Sequence, residues 1–426
     1  MTAVWDTIVV GGGPAGSTAA TLLAQAGKKV LVLERETFPR FHIGESLIPY
    51  GNDVLRELGV WEKMEEAGFM PKLGAEFTLG NSAGLQRFLF GRNLDARYAR
   101  TFQVERAKFD TLLLKHSEEQ GVTVMQRAKV TGVESNVDGA TVTYEHEGAV
   151  HSARARWLVD ASGRVSVVGQ ALGIPKSDLK MPKRIAVFSH FHGVYRNEGE
   201  AAGHITIVRL ENAWFWFIPL DTEKTSVGLV QTLDAFKAQG VSPEESFRRA
   251  VETHTELRFR LKRAERIEAF RTEGDYTFRH QRAAGPRWLL AGDAAGFIDP
   301  IFSSGVMVAL RSSRMTAQAI LRADGEGRAL SGSEQRTHTR AVKKMTGVFL
   351  DMIRMFYDRS AFEVFMSPAP PLDLLRAVLH LVGGDTRLTW GLKWRVWIFY
   401  TFCRLQRYIQ IAPRLNLSEM TRPTSP

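Results

Sequence analysis

Apolar positions along this chain change period several times, and each change predicts an element. Residues 7–10 form a short β-branched apolar run, followed at once by a glycine-rich turn. Residues 17–26 continue as a small-residue helical stretch that ends at Gly27, and a second apolar strand over residues 29–33 closes at Glu34. Strand, glycine turn, helix and strand in direct succession predict a βαβ unit and a parallel sheet. Trp157, Leu158, Val159 and Asp160 read as a buried strand entering a glycine turn at Gly163. Between residues 185 and 231 the apolar positions alternate, which predicts strands at 205–210, 214–219 and 225–230. Residues 242–264 read as helical, with Ser242 as N-cap and Pro243 at the first helical position. Near Tyr276 the chain returns to the first domain, where Trp288, Leu289 and Leu290 form an apolar strand running into Gly292 and Asp293. Val306 opens another helix, and Phe349, Met352, Ile353 and Phe356 recur at helical spacing as core positions.

These elements predict an α/β protein. Residues 1–180 and 270–325 form a discontinuous nucleotide-binding domain, 181–269 a β-rich domain inserted in it, and 326–426 a helical C-terminal region. A length of 426 residues agrees with two or three domains. The single cysteine, Cys403, excludes a disulfide framework and a multi-cysteine metal cage, and no metal is expected. A net charge of +10 favours acidic partners, but it is spread thinly, without zinc-finger spacing or a dense basic block, so nucleic acid is not an expected partner. No apolar run approaches the roughly 20 residues of a membrane span. Met1 to Asp6 lead straight into the first strand with no basic leader or cleavage signal, and the expected location is the cytoplasm.

The glycine turn carries the first chemistry. Gly11 permits the tight turn, Gly13 lets a pyrophosphate approach the backbone, and Gly16 lets helix and strand pack closely. Glu34, 18 positions after Gly16, would accept hydrogen bonds from a ribose. This fingerprint leaves NAD and FAD both open. The loop that follows, residues 38–47, offers Arg40, Glu45 and Ser46 to a phosphate or an isoalloxazine ring.

With that loop added, the chain resembles the FAD-dependent halogenases of the phenol/pyrrole type, within the flavin monooxygenase and geranylgeranyl reductase-like superfamily. The resemblance covers residues 5–325. It implies a Rossmann-like FAD-binding domain with an inserted β-sheet substrate domain. It implies FAD contacts at Gly11, Gly13, Pro14, Ala15, Gly16, Glu34, Arg40, Ile43, Ser46, Arg106, Asp293, Pro300, Gly305 and Val306. Arg106 and Asp110 can equally form a helix-surface ion pair, and Asp293 can equally cap a helix.

Three stretches resemble the signatures that separate halogenases from hydroxylases. Residues 214–219 match the WxWxIP motif, in which Trp214 and Trp216 would be a barrier between flavin and substrate; a packed sheet face uses the same alternation. Residues 297–305 match the family's Phe, Pro, Ser and Gly spacing, which implies halide binding at Ser304 and Gly305 through converging N–H groups; a helix-entry loop that merely touches FAD has the same composition. Residues 71–77 resemble the stretch bearing the catalytic lysine, here Lys72, although lysine is also an ordinary surface residue.

The implied reaction uses FADH2 from a separate flavin reductase, O2 and chloride or bromide. Hypohalous acid held by Lys72 would halogenate an electron-rich aromatic or pyrrolic substrate, free or tethered to an acyl or peptidyl carrier protein. The alternatives are an FAD-dependent monooxygenase (hydroxylase) or dehydrogenase of the geranylgeranyl reductase-like group, and a flavin-bound protein without catalysis. Residues 390–411 are aromatic and basic, and from Asp385 onward Arg387, Lys393, Arg395, Arg404, Arg407, Arg414 and Arg422 face only Asp385 and Glu419. That stretch fits peripheral contact with a membrane surface, a helix covering the substrate pocket, or a seat for an acidic carrier protein.

Overall fold

The computed structural model describes residues 4–275, 277–367, 374–386 and 389–417. Tyr276, Arg387, Glu419 and Arg422 lie outside the described residues. The βαβ unit is strand Val4–Val10, helix Pro14–Gln25 and strand Val30–Leu33. Small side chains on the helix, Ala15, Ala19 and Ala20, are buried and let it lie close to the sheet and to helix Gly305–Gly325. The first sheet runs Thr123–Met125, Val30–Leu33, Val4–Val10, Ala149–Asp160, Ala140–His146, Lys129–Ser135. Strand Trp288–Leu290 pairs in parallel with the end of Ala149–Asp160. Val10 is level with Leu33 and with Asp160, and Asp160 with Leu290. Four carboxyl ends therefore meet at one edge, where parallel sheets bind ligands.

The second sheet runs Glu265–Arg266, Arg184–His192, Thr225–Thr232, Ala213–Pro219, Ile205–Arg209, Gly74–Leu79, Leu85–Leu89, with Arg271–Asp275 also paired to Arg184–His192. The strands expected at 205–210, 214–219 and 225–230 are all in it. Two more strands come from residues 74–89, through the parallel pairing of Gly74–Leu79 with Ile205–Arg209. No alternation marks Gly74–Leu79 in the sequence because every position is buried. One face of this sheet turns Trp214, Trp216, Ile205 and Ile207 toward the first domain. The other turns Phe215, Phe217 and Val227 onto Phe247 and Leu257.

Residues 242–264 form two helices rather than one, Pro243–Thr253 and Thr255–Arg260, with His254 extended between them. The Ser242 hydroxyl caps the first as expected, accepting from the Glu245 amide at 3.2 Å. Tertiary bonding breaks the run: the Glu256 amide donates to the Gly80 carbonyl at 3.0 Å instead of continuing the helix. The C-terminal region is helical, Gly332–Tyr357, Arg359–Phe365, Leu374–Gly383 and Trp390–Leu405. Phe349, Ile353 and Phe356 share one core with Phe77, Phe88 and Trp214 of the second sheet. The last helix leaves Trp390 81% and Trp397 67% exposed. No described helix is long and apolar enough to cross a membrane.

Candidate active site

A cavity of about 540 Å³ opens at the level strand ends and runs to the tryptophan face of the second sheet. Gly11, Gly13, Pro14, Ala15, Glu34, Arg40, Ile43, Ser46, Arg106, Asp293, Pro300, Gly305, Val306, Trp214 and Trp216 all line it. Gly16, Ser304 and Lys72 do not line it.

At the nucleotide end, backbone conformation does most of the shaping. Gly11 has φ 99°, open to glycine alone at no cost, and a side chain at Gly16 would overlap the Gly11 carbonyl oxygen. Gly16 thus acts by bringing the helix N-terminus to the cavity. Glu34 accepts from the Gly12 amide at 2.6 Å and from the Glu36 amide at 2.8 Å, which fixes its carboxylate at the wall with lone pairs to spare for a ribose. The Arg40 guanidinium lies over Gly13, where a β-carbon would sit 3.2 Å from Nη2. Arg40 Nη1 forms an ion pair with Asp110 at 3.2 Å, and among the described residues it makes no hydrogen bond. An unmatched guanidinium N–H, a bare glycine backbone and a helix N-terminus together fit a pyrophosphate.

Arg106 forms its ion pair with Asp110, but inside the protein: Nε and Nη2 reach the two carboxylate oxygens at 2.7 and 2.9 Å, and both residues are buried. Its Nη1 donates to the Ile43 carbonyl at 2.6 Å, tying the loop 40–46 to the cavity. Asp293 is not a cap, since that position belongs to Ala291. Burial pushes its carboxyl up to about 6, against the pull of Arg164 and Arg106. Among the described residues no protein group hydrogen-bonds it, which suits it to accept from a ribityl hydroxyl. Sequence reasoning missed Asp160 as a builder of this end. It accepts from the amides of Ser162, Val168 and Gly169 at 3.1, 2.8 and 3.2 Å and so shapes the turn that brings Arg164 to the cavity. Its signal was a charged residue ending an apolar run.

Side chains shape the far end. The Trp216 ring lies flat over Gly228, where any side chain would overlap it, and its Nε1 donates to Ser226 at 3.1 Å. Trp214 Nε1 donates to the Tyr357 hydroxyl at 2.8 Å. In the loop 297–305, Ser303 faces the cavity with φ 55°, a left-handed conformation costing a non-glycine residue about 1 kcal/mol. Ser304 is buried at the N-cap of helix Gly305–Gly325. The first amides of that helix have no intrahelical acceptor, as an anion requires. Sequence reasoning also missed Asp299, Arg184 and Tyr357. Burial pushes the Asp299 carboxyl up, opposed by Arg184, Tyr357 and the Ile301 amide. Tyr357 had no signal beyond a helical core position.

Lys72 ends the short strand Met70–Lys72 and is paired with Thr101. It is 1% exposed, and Nζ donates to Ser46 Oγ and to the Leu47 carbonyl, both at 2.8 Å. No carboxylate pairs with it among the described residues. Burial alone brings its amine down to about 7. One side chain, Ser46, therefore separates an unusually basic-poor lysine nitrogen from the cavity. Beside it in the same loop, Glu45 bonds His190 at 2.8 Å, and burial with Arg106 nearby lowers His42 to about 3.

The FAD binding domain family model matches residues 4–332. Over 75% of this chain and 76% of the relative, the sequence is 36% identical to a 1H-pyrrole-2-carbonyl-[peptidyl-carrier protein] chlorinase of Pseudomonas fluorescens. It is 30% identical to a 1H-pyrrole-2-carbonyl-[peptidyl-carrier protein] brominase of Pseudoalteromonas luteoviolacea, over 89% of this chain and 92% of that one. The fold superimposes on a solved flavin-dependent brominase with a TM-score of 0.85 at 29% identity, covering 95% and 99% of the two chains. A glycine cradle built for a dinucleotide, a tryptophan wall facing it and this kinship together make the chain a member of the flavin-dependent halogenases, with FAD as cofactor and a halide as co-substrate.

Proposed function

We propose that this halogenase acts on an electron-rich pyrrolic or phenolic ring acylated to a peptidyl carrier protein, and that Lys72 delivers the halogen. Relatives named for pyrrole-carrier-protein chlorination and bromination support the substrate class. The observation that carries the role of Lys72 is its complete burial against Ser46 without a counter-ion. Reduced FAD, supplied by a separate reductase, provides the electrons that activate O2. The protein does the rest. Gly305 and Val306 offer amide N–H groups to the halide, while Trp214 and Trp216 keep the ring to be modified away from the flavin. An amine that titrates near neutrality holds hypohalous acid by hydrogen bonding or takes its halogen with loss of water, and either form passes the halogen to the ring.

The test supplies reduced FAD, O2 and bromide to the purified protein, with free phenols and with a pyrrolyl-loaded carrier protein, and reads products by mass spectrometry. Brominated carrier-bound pyrrole from the wild type, and none from Lys72→Ala while FADH2 is still oxidised, is the expected result. Bromination of free phenols alone overturns the tethered substrate. Unchanged bromination by Lys72→Ala overturns the lysine's role.

A further inference from the structure

We propose that Tyr357, supplied by the C-terminal helix Gly332–Tyr357, is a positioning residue that locks the loop 297–305 to the tryptophan wall, so that halide and barrier keep one fixed relation. Its hydroxyl donates to Asp299 Oδ2 at 2.8 Å and accepts from Trp214 Nε1 at 2.8 Å. Asp299 Oδ1 accepts from the Ile301 amide at 3.0 Å, so the carboxylate that Tyr357 holds also holds the turn Pro300–Phe302. Ser303, the next residue, takes its left-handed conformation there, and such a conformation persists only where the surroundings over-determine it. Arg184 closes the group from below, its guanidinium 3.6 Å from the Tyr357 ring centroid and Nη1 3.6 Å from Asp299. Trp214, Asp299 and Arg184 are buried. Removing the hydroxyl alone strands a buried indole N–H and a buried carboxylate lone pair and lets loop and wall move independently. The inference rests on the halogenase reading, because it treats the loop 297–305 as the halide loop.

Tyr357→Phe tests it, since the ring and its stacking on Arg184 remain. Oxidised, FAD-loaded protein is titrated with bromide and followed by flavin absorbance, and turnover is measured separately. The expected bromide Kd rises about tenfold, and the KM for bromide rises with it while kcat changes less than about threefold. FAD content and FADH2 oxidation stay near wild type, the melting temperature falls by a few degrees as the stranded groups require, and the lost halogenation reappears as hydrogen peroxide. Trp214→Phe combined with Tyr357→Phe is expected to lose no more bromide affinity than the worse single variant, the signature of groups acting through one contact. Unchanged bromide affinity in Tyr357→Phe, or additive losses in the double variant, overturns the inference. Should Tyr357→Phe fail to fold, Asp299→Asn is titrated in its place, and an unchanged Kd there overturns the inference equally. A wild type whose flavin responds to bromide but yields no halogenated product counts against the halogenase reading alone, and the Kd comparison still decides the role of Tyr357. A wild-type flavin that does not respond to bromide overturns it.

Discussion

The two ends of the cavity are built by opposite means. At the nucleotide end, residues 11–16 and 34 come from one continuous stretch and act largely through backbone: a left-handed glycine, a helix N-terminus, amides that aim a carboxylate. At the far end, Arg184, Trp214, Asp299 and Tyr357 come from four separate stretches and act through side-chain hydrogen bonds, an ion pair and a cation–ring contact. Backbone geometry tolerates no extra atoms but is indifferent to distant sequence. Side-chain networks tolerate volume changes better, yet each member depends on partners far along the chain.

That contrast can be broken from either side. The largest effect is expected from Gly16→Val, which puts a branched side chain where the Gly11 carbonyl oxygen lies. Flavin content of the purified protein, read from absorbance, should fall by more than about 100-fold. Arg40→Ala should weaken FAD by about tenfold, as one charge-assisted phosphate contact is removed, and calorimetric titration of the apoprotein measures it. At the far end, Gly228→Ala forces the Trp216 ring off its seat. We expect about 1–3 kcal/mol of lost stability in denaturant unfolding, with FAD affinity unchanged.

A subtler effect comes from Lys72. Its amine is lowered to about 7 in the folded protein, whereas the unfolded chain holds its proton up to about 10.5, so the unfolded state binds the extra proton between those values. Wild-type stability should therefore rise relative to Lys72→Met as pH climbs from 7 to 9, by about 1 kcal/mol per pH unit, in parallel denaturant titrations. The smallest effect is expected from Trp397→Ala on the exposed aromatic helix, within about 0.5 kcal/mol, which marks that surface as free of any role in folding.

The same contrast explains what could be read in advance. The βαβ unit was legible because its glycines, helix and strands are contiguous and each obeys a local rule. Trp214 and Trp216 were legible as a motif, but their partners were not. Tyr357 sits on a helical face indistinguishable from core, and Asp299 sits in a loop where aspartate is ordinary. Strand Gly74–Leu79 escaped notice because burial on both faces removes the period on which such recognition depends. The break at His254 escaped for the reason that a tertiary bond, Glu256 to Gly80, overrides a good local helix pattern. Lys72 was found by its resemblance to a family stretch, yet its burial and its seat against Ser46 depend on the pairing of residues 70–72 with 101–103.

Tyr357 lies 25 residues beyond the end of the region that the FAD binding domain model matches. The FAD binding domain thus stops short of a residue bonded to the loop 297–305. Transplanting the C-terminal helices of one relative onto the flavin module of another is then no neutral exchange of a cover. Such a chimera inherits its loop geometry from the donor of the helices, and a breeder of new halogenases would do better to recombine upstream of residue 297 or carry both segments together.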